Sequence, residues 1–339
     1  MEFIELAELC DKGSSNLAQK DLVFDSGIYP VYGAPGEITK VDFFYQSKPY
    51  LGLIKDGAGV GRVMQLPANS SVIGTIQYIF PKENVDLKYL YYLIKYLDLG
   101  KANTGATIPH IYFKDYKKRK VKIRNYSEQK NIGQILELID NQLTTYKDIL
   151  EQYDLLIKSR FVEMFGDPNM VGLNKSVKFS SIAKIMTGNT PSRKSPEYYG
   201  DYIEWIKSDN IISTNLYISQ AKEFLSEQGA AKGRVAPKDS LLMTCIAGSI
   251  RSIGNVGICD RSVAFNQQIN AIVLKNNINP LYIYWLLKLF KPSIIANVEM
   301  SLKGIISKSQ LENMLIPIIA SQEEQELFIK FALQINKLK

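Results

Sequence analysis

Apolar residues between Ser127 and Phe165 fall at Ile132, Leu136, Ile139, Leu143, Tyr146, Leu150, Tyr153 and Ile157. The steps alternate four and three, a heptad seam kept over about four heptads, and predict a coiled-coil helix rather than a single amphipathic helix laid on a domain. No proline interrupts the stretch and Gly133 is its one glycine. Gly166-Asp167-Pro168 then supplies the stop, because glycine suits the position past a helix end and proline cannot continue one. Ser127 reads as the N-cap, with Glu128 favourable in the first turn. Such a rod of about 39 residues would be about 58 Å long. A second helix is predicted from Gln322, where Phe328, Phe331, Ile335 and Leu338 resume the seam. At about 18 residues it can cover roughly half of the first. The rest of the apolar stripe is either exposed, at about 25 cal/mol per Å², or covered by another subunit.

Elsewhere the pattern is of short strands. In residues 1–125, glycine-rich punctuation (Gly33, Pro35, Gly36; Gly57, Gly59, Gly61) separates β-prone runs such as Tyr50–Ile54 and Val72–Phe80. A helix is expected over Leu87–Tyr96, then a loop through Asn103-Thr104-Gly105. Residues 176–320 read as a second mixed region, and the two are related. The stretch IFPKENVDLKYLYYLI (79–94) returns as IVLKNNINPLYIYWLL (272–287), and Ser127-Glu128-Gln129 is echoed by Glu323-Glu324-Gln325. A period this long is a duplicated domain rather than a solenoid unit. The expected fold class is α+β: two similar β-rich mixed domains (1–126 and 168–320), each followed by a spacer helix (127–167 and 321–339). Two related domains suit a target read at two places.

The chain has 339 residues, a formal net charge of +7, and hydrophobic and charged shares (46% and 22%) ordinary for a globular protein. The positive balance favours a polyanionic partner. It is concentrated in Lys114, Lys117, Lys118, Arg119, Lys120, Lys122 and Arg124 against the single acid Asp115. That run is either a lysine-guarded edge strand or a phosphate-contacting surface. Three cysteines without a CxxC and a single histidine give no metal set. No apolar window is long enough to span a membrane, and Met1–Glu5 lacks a leader pattern. A reducing, cytoplasmic setting is expected.

Catalytic signatures are missing. Gly57-Ala58-Gly59-Val60-Gly61 lacks the GK[ST] ending of a phosphate loop and reads as a tight turn. No Asn/Asp-Pro-Pro-Tyr/Phe stretch, helicase motif or nuclease carboxylate cluster is present. The chain is expected to be non-catalytic and to bind no cofactor.

Residues able to meet nucleic acid can be named, each with a plainer alternative. Thr190-Pro191-Ser192-Arg193-Lys194 offers hydroxyls and two cations from a proline-fixed loop, beside Asn189; the alternative is turn chemistry alone. Arg251, in the Gly248–Gly254 turn, is of the type that reads guanine or phosphate. His110 lies in a loop and is either structural or a DNA contact. Gln267 and Gln268 could read adenine edges or hold the fold. Tyr198, Tyr199 and Trp205 are better as core or loop anchors than as stacking groups. Tyr32, Lys55, Arg62, Asn103, Thr104, Lys117, Lys118 and Lys303 complete the candidate DNA-binding set.

The order domain, long helix, domain, helix is uncommon, and particular stretches join it to a family. Thr187-Gly188-Asn189-Thr190-Pro191-Ser192, Glu197-Tyr198-Tyr199-Gly200, Ile203-Glu204-Trp205-Ile206, Ser208-Asp209-Asn210-Ile211, Gly248-Ser249-Ile250 and Asn266–Ile272 resemble a target-recognition domain of the DNA-sequence specificity (S) subunit of Type I restriction–modification systems. Tyr29–Gly36 and Lys55–Gly59 resemble a variant of it, and Ser159–Pro168 is similar to the family's junction between spacer helix and second domain. The resemblance covers essentially the whole chain. It implies double-stranded DNA as partner, a bipartite asymmetric site, and docking of two methylation subunits, with restriction subunits as further partners. S-adenosylmethionine, ATP and Mg²⁺ would then belong to those partners. The short second helix departs from the family's usual equal pair. It leaves open a truncated or phase-variable half-subunit that dimerises through the uncovered central helix, or a silent cassette product. Three rivals fit less well: a methyltransferase–nuclease fusion needs catalytic motifs, an antirestriction mimic should be acidic, and a plain scaffold would not carry two duplicated domains.

Overall fold

The computed structural model describes residues 3–57, 59–102, 109–170, 176–275, 278–296, 299–300, 304–317 and 320–338; Asn103, Thr104 and Lys303 lie outside them. The chain forms two compact units, Met1–Lys147 and Asp148–Lys339. The first runs β1 (Phe3–Glu5), β2 (Cys10–Ser14), β3 (Tyr29–Gly33), β4 (Gly36–Val41), β5 (Tyr50–Ile54), β6 (Val63–Leu66), β7 (Ser71–Val72), β8 (Ile76–Pro81), α1 (Leu87–Leu97), α2 (Phe113–Tyr116), β9 (Lys120–Lys122) and the start of α3 (Tyr126–Phe165). After α3 come β10 (Ser176–Lys178), α4 (Phe179–Ile182), β11 (Ala183–Thr187), β12 (Tyr199–Ile206), β13 (Phe224–Leu225), α5 (Glu227–Lys232), β14 (Val235–Ala236), β15 (Leu241–Thr244) and β16 (Ile246–Ala247). The second unit closes with β17 (Val256–Ile258), β18 (Val263–Phe265), β19 (Ile269–Leu274), α6 (Pro280–Ala296), β20 (Glu299–Met300), β21 (Gly304–Ile305), α7 (Lys308–Asn313), β22 (Leu315–Pro317) and α8 (Gln322–Asn336).

The duplication read from the sequence is a duplication of topology. The first unit has an antiparallel sheet of order β2-β8-β5-β6, and the second has β11-β19-β15-β17. In the smaller sheets, β3 takes β4 antiparallel and β7 parallel, as β12 takes β13 antiparallel and β18 parallel. The two-stranded pairs β1–β9 and β10–β22 close each copy. Even a buried side chain repeats its bonds. Gln129 accepts from the Asp86 amide (3.0 Å) and donates to the Arg124 carbonyl (2.9 Å); Gln325 accepts from the Asn279 amide (3.1 Å) and donates to the Ala320 carbonyl (2.8 Å). Each glutamine ties the start of its spacer helix to the turn that begins α1 or α6. A buried amide is tolerated because its polar atoms are partnered.

Each copy packs its four-stranded sheet against the following helix. Leu51, Leu53, Ile79, Leu90 and Ile94 fill the first core, and Leu241, Met243, Ile272, Ile283 and Leu287 the second. The β-prone run at 72–80 is two strands rather than one: Gly74 donates to the Leu17 carbonyl (2.8 Å) in a turn between β7 and β8.

The glycine stretch 57–61 links β5 to β6 and leads into a strand, not a helix, as the turn reading requires. Gly61 (φ +86°) admits no side chain, since a Cβ there would come 2.1 Å from the Gly100 nitrogen.

Helix α3 keeps the predicted span but starts one residue earlier. Its cap is Asn125, whose side-chain oxygen accepts the Glu128 amide at 2.9 Å; Ser127 lies inside the helix and is exposed. Gly166 stops it with φ +82°. Along the seam, Ile132 and Leu136 are half-buried, Ile139, Leu143, Tyr146 and Leu150 exposed, Tyr153 half-buried and Ile157 buried. In the second unit α8 runs antiparallel to the end of α3. Phe328 meets Phe161 and Phe165, Phe331 lies under Arg160, and Asn336 reaches the level of Asp154. Phe331 and Ile335 are half-buried there, whereas Leu338 lies past the helix end and is exposed. No helix among the described residues is long and apolar enough to cross a membrane.

Candidate nucleic-acid interface

Most of the candidate side chains among the described residues gather at one end of each sheet, and at the same end in both copies. In the antiparallel register Ser14 faces Gln77 and Ile54 faces Ile76, so the turn after β5 and the turn before β8 meet. In the second unit Thr187 faces Asn270 and Thr244 faces Ile269, which brings together the loop after β11, the turn after β15 and the turn before β19. The same backbone bond marks the spot: Lys55 donates to the Thr75 carbonyl (3.0 Å), Cys245 to the Gln268 carbonyl (2.8 Å).

In the first unit this end holds Lys55, Arg62, His110 and Tyr32. Lys55 pairs with Asp56 (2.9 Å), the Asp56 and His110 backbones form an isolated antiparallel β-bridge, and the Gly57 amide donates to the Pro109 carbonyl (2.9 Å). Exposed Arg62 donates to the Ala34 carbonyl at the β3–β4 turn, two residues from Tyr32. Tyr32 is half-buried, and burial pushes its hydroxyl pKa up. His110 packs edge-on to Tyr112 (4.9 Å), which carries Lys114 over its ring (5.2 Å). Lys117 and Lys118 lie apart from this end, where the Lys117 carbonyl accepts from Ala7 (3.0 Å) beside the β1–β9 pair. The basic run is therefore a helical turn, a bend and a three-residue strand, not one edge strand.

In the second unit the loop after β11 is held from several sides. The Asn189 amide donates to the Phe265 carbonyl (3.1 Å), and the Asn189 side chain donates to the Lys232 carbonyl (2.9 Å). Thr190 donates to the exposed Gln267, and the Tyr199 hydroxyl donates to the Pro191 carbonyl (2.8 Å). The Arg193 guanidinium lies over Tyr199 (4.5 Å) and Trp205 (5.1 Å) and pairs with Glu223 (2.6 Å). The other Glu223 oxygen takes Lys207, whose ammonium lies 5.0 Å over Trp205. Hydrogen bonding from Lys207 holds the Glu223 carboxyl below its usual range, with Arg193 adding to it. Tyr199 and Trp205 thus anchor the loop, and Arg193 is fastened at its base. Ser192 and Lys194 are exposed, as is Arg251 on the neighbouring turn, whose carbonyl accepts from Lys291 (2.7 Å). Burial draws the Lys291 pKa down. Such a surface can place cations on phosphates and present amides and hydroxyls to base edges.

Glu223 and Lys207 were not singled out in the sequence, and neither was the pair Glu204–Arg261. Arg261 donates to both Glu204 oxygens (2.6 and 2.7 Å), and one of them also accepts the Ala221 amide (2.7 Å). These partners are far apart in the chain, and no local spacing announces them. The Arg261 hydrogen bond is the main cause holding the Glu204 carboxyl below its usual value. A depressed carboxyl pKa stabilises the fold above the unfolded value of about 4.3 and loses that contribution as pH falls through the folded value. Glu204→Gln should therefore cost about 2 kcal/mol at pH 7, and the gap to the parent should shrink at about pH 3. Urea unfolding followed by tryptophan fluorescence checks this, since Trp205 and Trp285 both lie in the second unit. A gap equal at both pH values would refute it.

The three cysteines are free and buried, with burial pushing each thiol up to about 12. Among the described residues no cluster of His, Cys, Asp or Glu could hold a metal ion.

Comparison with known proteins fits the duplicated plan. Residues 1–152 and 173–335 match the family model of the Type I restriction modification DNA specificity domain. The chain belongs to that family. It is 27% identical over 183 residues to the Type I restriction enzyme MjaIX specificity subunit of Methanocaldococcus jannaschii, covering 51% of this chain and 41% of the relative. It is 31% identical over 111 residues to the HindI specificity subunit of Haemophilus influenzae, covering 32% and 23%. These matches span less than half the length of either relative. Among solved structures, the Type I restriction–modification S subunit from M. genitalium superposes with a TM-score of 0.63 at 17% identity, over 99% of this chain and 89% of that one. A chain from a structural study of type I R-M complex assembly gives 0.51 at 12% identity, over 100% and 91%. Both likenesses concern the fold.

Proposed function

We propose that this specificity-family chain reads a bipartite, asymmetric double-stranded DNA site, one unit per half-site, and itself makes and breaks no covalent bond. The functional division is 1–126 and 168–320 for recognition, with 127–167 and 321–339 as spacers. One observation carries the reading: the same fold occurs twice, with the candidate loops at the same end of each sheet but different side chains in them. Lys55, Arg62 and His110 meet one half; Asn189, Thr190, Ser192, Lys194 and Arg251 meet the other. Lys117 and Lys118 contact phosphate away from the loops. Arg193 contributes by holding its loop against Tyr199 and Trp205. The length of α3 sets the non-specific gap between half-sites, and its exposed stripe docks methylation subunits, with restriction subunits joining the same assembly in the cytoplasm. A second reading, a dimer made through the same exposed stripe, is favoured by the solvent-facing Leu143, Tyr146 and Leu150.

Methylome sequencing of a host that carries this gene with its methylation subunit tests the proposal. The expected result is one asymmetric motif of two short halves around a fixed gap. A single uninterrupted motif, or none, would overturn it. Affinity for that motif should also fall linearly in log–log terms with salt, by about 0.9 per phosphate contact.

A further inference from the structure

Two cations at the candidate interface of the second unit share one acid. Arg193 donates to one Glu223 oxygen (2.6 Å) and Lys207 to the other. Both lie over the same ring, the guanidinium 5.1 Å and the ammonium 5.0 Å from the centre of Trp205. The backbone fixes this meeting. The Trp205 amide donates to the Glu223 carbonyl (2.9 Å), so β12 and the residue that opens onto β13 carry the ring and the carboxylate side by side. Hydrogen bonding from Lys207 is the main cause holding the carboxyl below its usual range, so it is charged at neutral pH.

The cluster flanks the loops proposed to read bases. Arg193 follows Ser192 in the loop after β11, and the Trp205 indole nitrogen donates to the Asn189 carbonyl near the start of that loop (3.4 Å). Lys207 precedes Ser208, whose hydroxyl donates to the Gln268 side chain (3.4 Å) in the turn before β19. All three side chains are open to water, Arg193 to 55%, Glu223 to 36% and Lys207 to 33%. Ion pairs this exposed add little to stability and are screened by salt. The loop has other holds in the Tyr199 hydroxyl, the Asn189 side chain and the stack of Arg193 on Tyr199. Glu223 is therefore dispensable for the fold of this loop, and its carboxylate suggests a different role. Two acceptor oxygens set between two cations is the arrangement that a backbone phosphate would also present.

We propose that Glu223 is a specificity-determining residue whose carboxylate occupies the place of a DNA phosphate between Arg193 and Lys207. On a duplex without the half-site the two cations stay on Glu223 and add nothing to phosphate binding. Where the loop after β11 is seated on its bases, the DNA backbone is held close enough for a phosphate to displace so weak a pair. Arg193 keeps its place over the rings while its charge passes to the DNA. The phosphate term, which carries sequence-independent affinity, is thereby tied to the fit of the loop. The inference rests on the DNA reading above and adds to it how one half-site is told from unrelated sequence.

Salt titration of the full chain tests it, by fluorescence anisotropy on a labelled mixed-sequence duplex and on a duplex carrying the motif found by methylome sequencing. With Glu223→Gln, the log–log salt slope on the mixed-sequence duplex should steepen by about 0.9 for each released cation, up to about 1.8. Affinity for that duplex at about 50 mM salt should rise at least about tenfold. The motif duplex should gain no more than about threefold, so discrimination falls. Adding Lys207→Gln to Glu223→Gln should remove about half of the added slope. Glu223→Ser should behave as Glu223→Gln, which separates the lost charge from any effect of the amide. Glu227→Gln removes an equal charge from the first turn of α5, outside the cluster, and should steepen the slope by less than about 0.3. Three results would overturn the inference: an unchanged slope with both Glu223 variants, an equal gain on the two duplexes, or an equal slope change from Glu227→Gln. A parent chain with no preference for the motif at raised salt would instead sink the DNA reading, and this inference with it.

Discussion

Phe161→Ala is expected to destabilise the second unit by about 4 kcal/mol. The side chain is fully buried and makes three ring contacts, to Phe165 at 4.9 Å, Phe328 at 5.2 Å and Tyr282 at 5.6 Å. Each ring comes from a different stretch of sequence or a different turn, so removing the central one opens a cavity that no single neighbour can fill. Truncations of this kind fall at the upper end of core substitutions, because aromatic pairing is lost together with apolar burial. With a urea dependence of about 2 kcal/mol per molar, the unfolding midpoint should drop by about 2 M. Tryptophan fluorescence reports it, since both tryptophans lie in this unit. Leu143→Ala, on the same helix and the same heptad seam but 52% exposed, should leave the midpoint nearly unmoved. Equal effects from the two substitutions would mean that the exposed middle of α3 carries as much packing as its end.

That contrast also marks how far the sequence could be read. The heptad spacing gave α3 to within one residue, because periodicity is local and survives without knowledge of neighbours. The spacing did not say which seam positions would be covered: Ile157 and Leu143 are indistinguishable in pattern, yet one is buried and the other open. Gln129 and Gln325 were visible as an echo, though not as the bonds that fasten each spacer helix to its unit. The cap moved from Ser127 to Asn125, since both residues can accept an amide and only the backbone decides between them. At the candidate interface, the loops were found through their residue types, glycine, proline, hydroxyl and cation. The sheet register that brings them to one end was not legible, nor were the partners of Arg193. Glu223 lies 30 residues away and carries no motif of its own. Long-range pairing of this kind decides whether an arginine is a reader or a fastening, and residue type alone cannot.

Exchanging residues 1–126 for another recognition domain should change one half of the methylated motif and leave both the other half and the gap as they were. The first unit has its own cores around Leu53, Leu90 and Ile94 and around Tyr50 and Tyr78, and it meets the following helix through defined contacts. Lys88 and Lys95 pair with Glu137 (2.5 Å) and Asp140 (2.7 Å), and Gln129 accepts the Asp86 amide. A junction at Asn125 keeps the helix cap, and a donor domain with an amide placed like that of Asp86 keeps the glutamine bond. Under those conditions the exchange alters the loops without altering α3, and on the proposed mechanism loops set sequence while the helix sets spacing. Each mismatched base pair costs about 1–3 kcal/mol, roughly additively. A half-site differing at three positions should therefore be disfavoured by at least about a hundredfold, enough to move methylation wholly to the new motif. Methylome sequencing of the exchanged strain reads this directly. If both halves change, the two units do not read independently, and the duplicated fold would have to act as one composite surface. If neither changes, the loops of the first unit do not contact bases at all.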